Sequence, residues 1–145
     1  MLKKIIVSLL AVGVILIPNG ANASSHAKSL QNLGMNEIMF AQMMIPHHEQ
    51  AISMSETALK KSRNQEITKL SRQIKSLQSS ETSQLTYWLK ATDSSMTMDH
   101  DMKMSGILTA KELTSLKRLT GTQFDRTFLQ LMIKHHQGAL EMLDL

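Results

Sequence analysis

The sequence predicts an all-α protein: a four-helix up-and-down bundle with a Met-rich loop, carried behind an N-terminal signal peptide. Three observations lead there. Apolar residues recur at steps of three and four over two long stretches, the spacing of one helix face. Threonine stands three residues ahead of an acidic residue before two further segments, the signature of a helix start. Finally, one 15-residue pattern built on His-His occurs twice, 88 residues apart, so the first and last helices are copies of one unit.

Lys3 and Lys4 precede an apolar run of 13 residues, Ile5 to Ile17, which Pro18 and Gly20 break ahead of Ala21-Asn22-Ala23. Charge, apolar stretch and small-residue site in that order predict a signal peptide over residues 1–23, with Ser24 as the first mature residue. A membrane-crossing helix needs roughly 20 apolar residues, and no later segment approaches that. The chain is therefore expected to be exported, periplasmic or secreted, with no membrane span once the signal is removed. Residues 24–35 read as a flexible N-terminal segment and 36–145 as one helical domain, because roughly 120 residues build one core and not two. With no cysteine, a disulfide and a lipidated cysteine are both excluded, so stability must come from packing or bound metal. Of 16 basic residues, Lys3 and Lys4 leave with the signal, which brings the chain close to balance with its 12 acidic ones. Without a dense Lys/Arg run, nucleic acid is not expected as a partner.

The first helix is expected from Asn36 to Leu59, with Ile38, Ala41, Ile45, His48, Ile52, Ser55 and Leu59 on its apolar face. Pro46 should kink it by removing a backbone hydrogen bond and crowding the carbonyl of Gln42. Asn64 caps a second helix reaching Lys90, with Ile67, Leu70, Ile74, Leu77, Leu85 and Trp88 on one side. From Ala91 to Gly106 the aliphatic period vanishes, and residues 91–106 read as a loop. Thr109 with Glu112 begins a short helix that Gly121 can end, and Thr122 with Asp125 begins the last one. The last helix runs to Leu145 without a cap, nine residues beyond His136, as in a shortened version of a longer design.

The two copies of the repeat are Phe40-Ala41-Gln42-Met43-Met44-Ile45-Pro46-His47-His48-Glu49-Gln50-Ala51-Ile52-Ser53-Met54 and Phe128-Leu129-Gln130-Leu131-Met132-Ile133-Lys134-His135-His136-Gln137-Gly138-Ala139-Leu140-Glu141-Met142. They share Phe, Gln, Met, Ile, both His, Ala and the final Met. Lys134 stands where Pro46 stands, so the role of the motif does not require a kink. This doubled pattern, with Glu37 and Asp125 each three residues before the Phe, resembles the family catalogued as domain of unknown function 305 over most of the mature chain. The resemblance implies an exported protein with a ferritin-like bundle. It also implies metal binding, copper above all, through His47, His48, His135 and His136 with nearby methionines.

Consecutive residues on a helix project about 100° apart, so the two histidines of a pair serve two faces. His48 falls on the stripe of Ile45 and Ile52, and His47 aligns with Phe40, Met43, Met44, Ala51 and Met54. In the second copy His136 goes with Ile133 and Leu140, and His135 with Phe128, Met132, Ala139 and Met142. One imidazole with thioethers along one helix side is a soft nitrogen and sulfur environment suited to copper. A histidine on an apolar face is commonly a core residue satisfied by a carbonyl, and methionine at helical spacing is commonly filler. Recurrence of the same pair with the same flanking methionines favours ligation. Glu37 and Asp125 lie about 15 Å along the helix from their His pairs and read as caps.

Within the loop, Met96, Met98, Met102 and Met104 stand with His100 and two aspartates inside nine residues. Thioethers suit monovalent copper or silver, and His100 with Asp99 or Asp101 suits divalent copper or zinc. A flexible linker is the plain alternative. Glu-x-x-His, His-Glu-x-x-His, a Gly-rich phosphate loop and Gly-x-Ser-x-Gly are all absent, so no catalysis is expected. The sequence points to a protein that binds metal ions outside the cytoplasm, sequestering copper or exchanging it with a copper-donor or acceptor protein. The competing reading is a non-catalytic helical interaction module whose methionine surface receives a partner helix.

Overall fold

The computed structural model describes residues 33–98 and 104–142. The signal peptide, nearly all of the N-terminal segment, His100, Met102 and the last three residues lie outside the described residues. Four helices follow one another, with no strand among the described residues: α1 (Met35–Lys61), α2 (Gln65–Ala91), α3 (Ala110–Arg118) and α4 (Gly121–Glu141). The chain therefore builds the all-α bundle that the periodicity predicts, from three long helices and one short.

Two of the expected starts are made by the expected atoms. The Asn64 side chain accepts from the Glu66 amide at 2.9 Å. Thr109 accepts from the Glu112 amide at 3.2 Å while Glu112 accepts from the Thr109 amide at 2.8 Å, a complete capping box. α1 runs through Pro46 as one helix. The last helix differs from expectation: it starts at Gly121, with Thr120 as an N-cap that makes no side-chain bond, so neither Thr122 nor Asp125 caps it. The reason is the length of the connection. Only Leu119 and Thr120 separate α3 from α4, and reversing the chain in so short a span uses a positive φ of 57° at Gly121. That glycine opens α4; α3 ends at Arg118.

α1 is the central element. Glu56 meets Lys75 at 2.8 Å and His48 meets Glu81 at 3.1 Å, which makes α2 antiparallel to α1. Lys61 donates to the Leu119 carbonyl at 2.9 Å at one end of α1, while Met43 and Met142 line one cavity near the other, so α4 is antiparallel as well. A helix packed on both sides must bury more than one stripe. The deepest line on α1 is accordingly Ala41, Met44, His47, Ala51, Met54 and Ala58. Of the expected apolar face only Ala41, Ile45 and Ser55 are buried, and His48 and Ile52 are half-buried. On α4 the buried line is Phe124, Phe128, Met132, His135, Gly138 and Met142, whereas Ile133 and Leu140 are 42% and 44% exposed. In both helices the line through the first histidine of the pair faces the core.

The core divides into two clusters. One joins Met54, Ile67, Ile74, Leu116, Phe124, Phe128 and Met132 where α3 closes the bundle. The other joins Met43, Met44, Ile45, Leu85, Leu89 and Met142, with Phe40, Trp88, Met98 and Met104 packed against it. No helix among the described residues is long and apolar enough to cross a membrane.

Candidate metal centre

The border between the two clusters falls at the histidines. His47 and His135, equivalent positions of the repeat, are 1% and 0% exposed and lie face to face, ring centroids 3.7 Å apart with 35° between planes. None of their four buried ring nitrogens makes a well-formed hydrogen bond, although backbone groups of Ser105 and His135 approach His47 and the His47 backbone approaches His135. An unpaired buried polar group costs about 1–3 kcal/mol, so this arrangement is expensive unless something else uses the lone pairs. Met43, Met44 and Met142 belong to the cluster on one side of the imidazoles, and Met54 and Met132 to the cluster on the other; all five are buried.

The second histidine of each pair turns toward α2. His48 Nε2 lies 3.1 Å from a Glu81 carboxylate oxygen. The carboxylate can only accept, so His48 donates to it through Nε2, and His48 Nδ1 is buried without a partner. His136 Nδ1 donates to the Met132 carbonyl at 2.8 Å, leaving Nε2 to accept from the Gln78 amide at 3.4 Å. His48, with one N–H held by a carboxylate and its other nitrogen unpartnered, has the arrangement by which proteins orient a metal-binding histidine, whereas Nε2 of His136 is taken by Gln78. Gln78 Oε1 and Thr82 Oγ1 are also buried and unpartnered. Seven of the nine such atoms among the described residues therefore belong to His47, His48 and His135 and to Gln78 and Thr82 on the α2 face opposite them.

Burial also sets the charge state. It is the main reason the His47 pKa falls to about 4, with the neighbouring His48 and His136 lowering it further and the carbonyls of Ser105 and His135 opposing. Burial likewise lowers His135 to about 3, aided by His47 and His136. His136 is lowered by burial, against the opposing pull of the Met132 carbonyl. At neutral pH the central pair is uncharged and its lone pairs are available without loss of a proton. The two rings are tilted 35° from parallel, and no three His, Asp or Glu among the described residues gather as a ready-made metal site.

Equivalent residues of the two copies also hold the loop. Gln50 clasps Leu108, donating to its carbonyl at 3.0 Å and accepting from its amide at 2.7 Å. Its counterpart is Gly138, whose backbone meets Gly106. A Cβ at Gly106 would stand 2.7 Å from both the Gly138 Cα and the His135 carbonyl oxygen, and Gly106 has φ 76°. Only glycine at both positions permits this approach. Ser105 donates to Glu141 beside the contact. Gln42 secures the other end of the loop, donating to the carbonyls of Ser95 at 2.8 Å and Thr97 at 3.2 Å. Met98 and Met104 are consequently drawn against the cluster of Met43, Met44 and Met142, leaving Met96 exposed at 39%. The ends of the loop are thus tied to both repeat helices.

The structure thus brings His47, His48, His135 and His136 together from two distant parts of the chain. The expected grouping of His136 with Ile133 and Leu140 holds as a helix face, but Ile133 and Leu140 on it are exposed. Gln78, Glu81 and Thr82 escaped the sequence reading. A signal was present: Ser71 and Gln78 interrupt the buried stripe Ile67, Ile74, Leu85 and Leu89 of α2, and polar residues kept on a buried line need partners. Glu37 lies in the first turn of α1 without capping it, and Gly34 is the N-cap.

The fold is a helical bundle whose internal repeat brings four histidines together, His47 and His135 buried and His48 and His136 half-buried. The chain belongs to the family described as Domain of unknown function (DUF305), which matches residues 37–145. Among solved structures it is similar to a predicted secreted DUF305 protein from Streptomyces coelicolor, with 30% identity and a TM-score of 0.71, covering 74% of this chain and 68% of that one. A DUF305 fragment from Deinococcus radiodurans is similar at 29% identity and a TM-score of 0.69, covering 75% of this chain and 74% of that one. No curated protein matches the chain.

Proposed function

We propose that this protein is exported and binds copper without catalysing a reaction, holding the ion at the histidine layer to sequester it or hand it on. The single observation that carries the reading is the His47–His135 pair: four buried imidazole nitrogens with no well-formed hydrogen bond, supplied by equivalent positions of a repeat. A core selected for stability alone would replace them with apolar residues, since cores accept such swaps readily. Side-chain rotation that turns one nitrogen of each ring toward a common point would give a two-imidazole site. The surrounding thioethers favour monovalent copper, or silver, over zinc. His48 and His136 supply further nitrogens, with Glu81 and the Met132 carbonyl as their orienting acceptors. In this reading His100, Met96, Met98, Met102 and Met104 capture the ion, and the repeat helices hold it. Export rests on the expected signal over residues 1–23 and on the named character of the Streptomyces relative.

Equilibrium dialysis of the mature chain against monovalent copper under reducing conditions tests the proposal. Stoichiometric binding should be lost in a His47→Leu/His135→Leu variant that keeps its helix content. Absence of stoichiometric binding to the unaltered protein would overturn the reading and favour the interaction module.

A further inference from the structure

The chain has six histidines, and one of them, His26, belongs to neither the repeat nor the Met-rich loop. Its covalent position is what matters. Cleavage of the expected signal after Ala23 would leave Ser24-Ser25-His26 as the first three residues, with a free α-amine on Ser24 and a histidine in third place. We propose that this new N-terminus is a site for a divalent square-planar metal ion, copper(II) or nickel(II), held by the Ser24 amine, the backbone nitrogens of Ser25 and His26, and His26 Nδ1. The inference goes beyond the proposed function: it shares no ligand with the histidines of the bundle or with any methionine, and it depends on export only through the cleavage.

The spacing selects the ion. When an amine, the next two amide nitrogens and the imidazole of the third residue bind together, each neighbouring pair of donors closes a small, unstrained chelate ring. A histidine one residue later would leave a further amide between the last donor and the ring, and one residue earlier would remove an amide donor. The resulting set is four nitrogens in one plane, the geometry diagnostic of copper(II) and nickel(II). Zinc(II), tetrahedral by preference, and monovalent copper, which favours sulfur, gain little from it. Ser25 is not proline, so its backbone carries the N–H that must be given up. Binding releases protons to water: one from the amine, which is mostly protonated at neutral pH, and one from each amide. The ion keeps its oxidation state. Residues 24–26 lie outside the described residues, and a site whose donors come from three consecutive residues requires no fold around it. The described chain sets its range. α1 begins at Met35 behind Gly34, and His26 stands eight steps before Gly34, a span of at most about 28 Å when fully extended. Asn36 and Glu37 of that first turn line a cavity with Met43 and Met142, so the N-terminal ion is tethered to the methionine end of the bundle and not to the end closed by α3.

Nickel(II) is the discriminating probe, because ionised amide nitrogens force it into a planar, diamagnetic form with its own visible absorption band. The chain is exported with its own signal, and intact-mass analysis of the purified protein should give Ser24 as the first residue. Titrated with nickel(II) near neutral pH, it should develop that band with one ion per chain and release about three protons per ion. The His47→Leu/His135→Leu variant should show the same band and stoichiometry. His26→Ala, and separately Ser25→Pro, which removes one amide donor and keeps the imidazole, should each weaken planar nickel(II) binding at least about a hundredfold while circular dichroism is unchanged. Retention of the band in either variant would overturn the site, and so would its absence from the unaltered protein or an exported chain that begins elsewhere than Ser24. Any of these beside intact histidine-dependent binding of monovalent copper would remove this inference and leave the proposed function standing. The planar nickel(II) band in a chain that binds no monovalent copper would do the reverse.

Discussion

The two ends of the bundle use the same helices for different purposes. At the end closed by α3, Phe124 and Phe128 stack with centroids 6.2 Å apart among Ile67, Ile74 and Leu116. A full capping box starts α3 there, and Lys61 bonds the Leu119 carbonyl across the turn. Polar groups at that end largely have partners and the apolar groups interlock. The other end is filled by Met43, Met44 and Met142, contains a cavity, and rests on a layer of imidazole nitrogens that lack a well-formed hydrogen bond. Methionine is flexible and fills irregular space at little gain in rigidity. The difference suggests that one end specifies the fold and the other retains a ligand site at some expense to stability, the usual trade between stability and function.

The sharpest way to break that contrast is to truncate each end. Phe128→Ala should lose about 3–5 kcal/mol in urea unfolding while a variant still folded binds copper with unaltered stoichiometry, whereas Met43→Leu should change stability by less than about 1.5 kcal/mol and weaken silver binding. A large loss of stability in Met43→Leu would mean that the thioether end also carries the fold.

A second prediction concerns the hinge between loop and site. A Cβ at Gly138 would overlap the backbone of Ser105 and Gly106, and backbone cannot move aside as a flexible side chain can. Gly138→Ala should cost about 1–3 kcal/mol and raise the hydrogen-exchange rate of the Leu108 amide. An unperturbed Leu108 amide would show that the loop is held by Gln50 alone.

Acid should separate the histidine layer from both clusters. His47 and His135 have folded pKa values of about 4 and about 3, below the ordinary 6.5. The unfolded chain therefore binds more protons between those limits, and stability falls as pH drops from about 6.5 toward 4, by up to about 1.4 kcal/mol per pH unit per histidine. It is fully present above the unfolded value. The unperturbed value of 6.5 would predict proton competition for bound metal near pH 6; burial moves that competition by the central pair toward pH 4. The His47→Leu/His135→Leu variant should lose most of the acid sensitivity in thermal melts. At pH 7 without metal it should be as stable as the unaltered chain or more so, because four buried nitrogens without a well-formed hydrogen bond are gone. Strong destabilisation of the metal-free variant at pH 7 would mark the pair as structural.

The smallest effect is expected at the surface. Glu112 is lowered to about 2, first by its bond with Lys134 and then by Thr109, and the Lys134 to Glu112 distance is 2.6 Å. Exposed pairs contribute little, so Lys134→Ala should shift stability by no more than about 1 kcal/mol and less in high salt, leaving metal binding unchanged.

By itself the sequence determined the helices, their main caps and the doubled motif, because each is written in local spacing: Asn64 next to the backbone it caps, Glu112 three residues from Thr109, His135 at 88 residues from His47. It also named the four histidines. Only the tertiary structure decided which member of each pair faces the core, since α1 carries apolar residues on two sides and the choice depends on where α2 and α4 pack. Ile45, Ile52, Ile133 and Leu140 are more hydrophobic than Met44, Ala51 and Gly138, yet the latter line the closest contacts because small or flexible side chains let three helices meet. The pairing of Glu81 with His48, Gln78 with His136 and Gly106 with Gly138 likewise joins residues more than 30 positions apart. Such contacts have no local signature: their energy appears only when the chain brings the partners together and removes them from water.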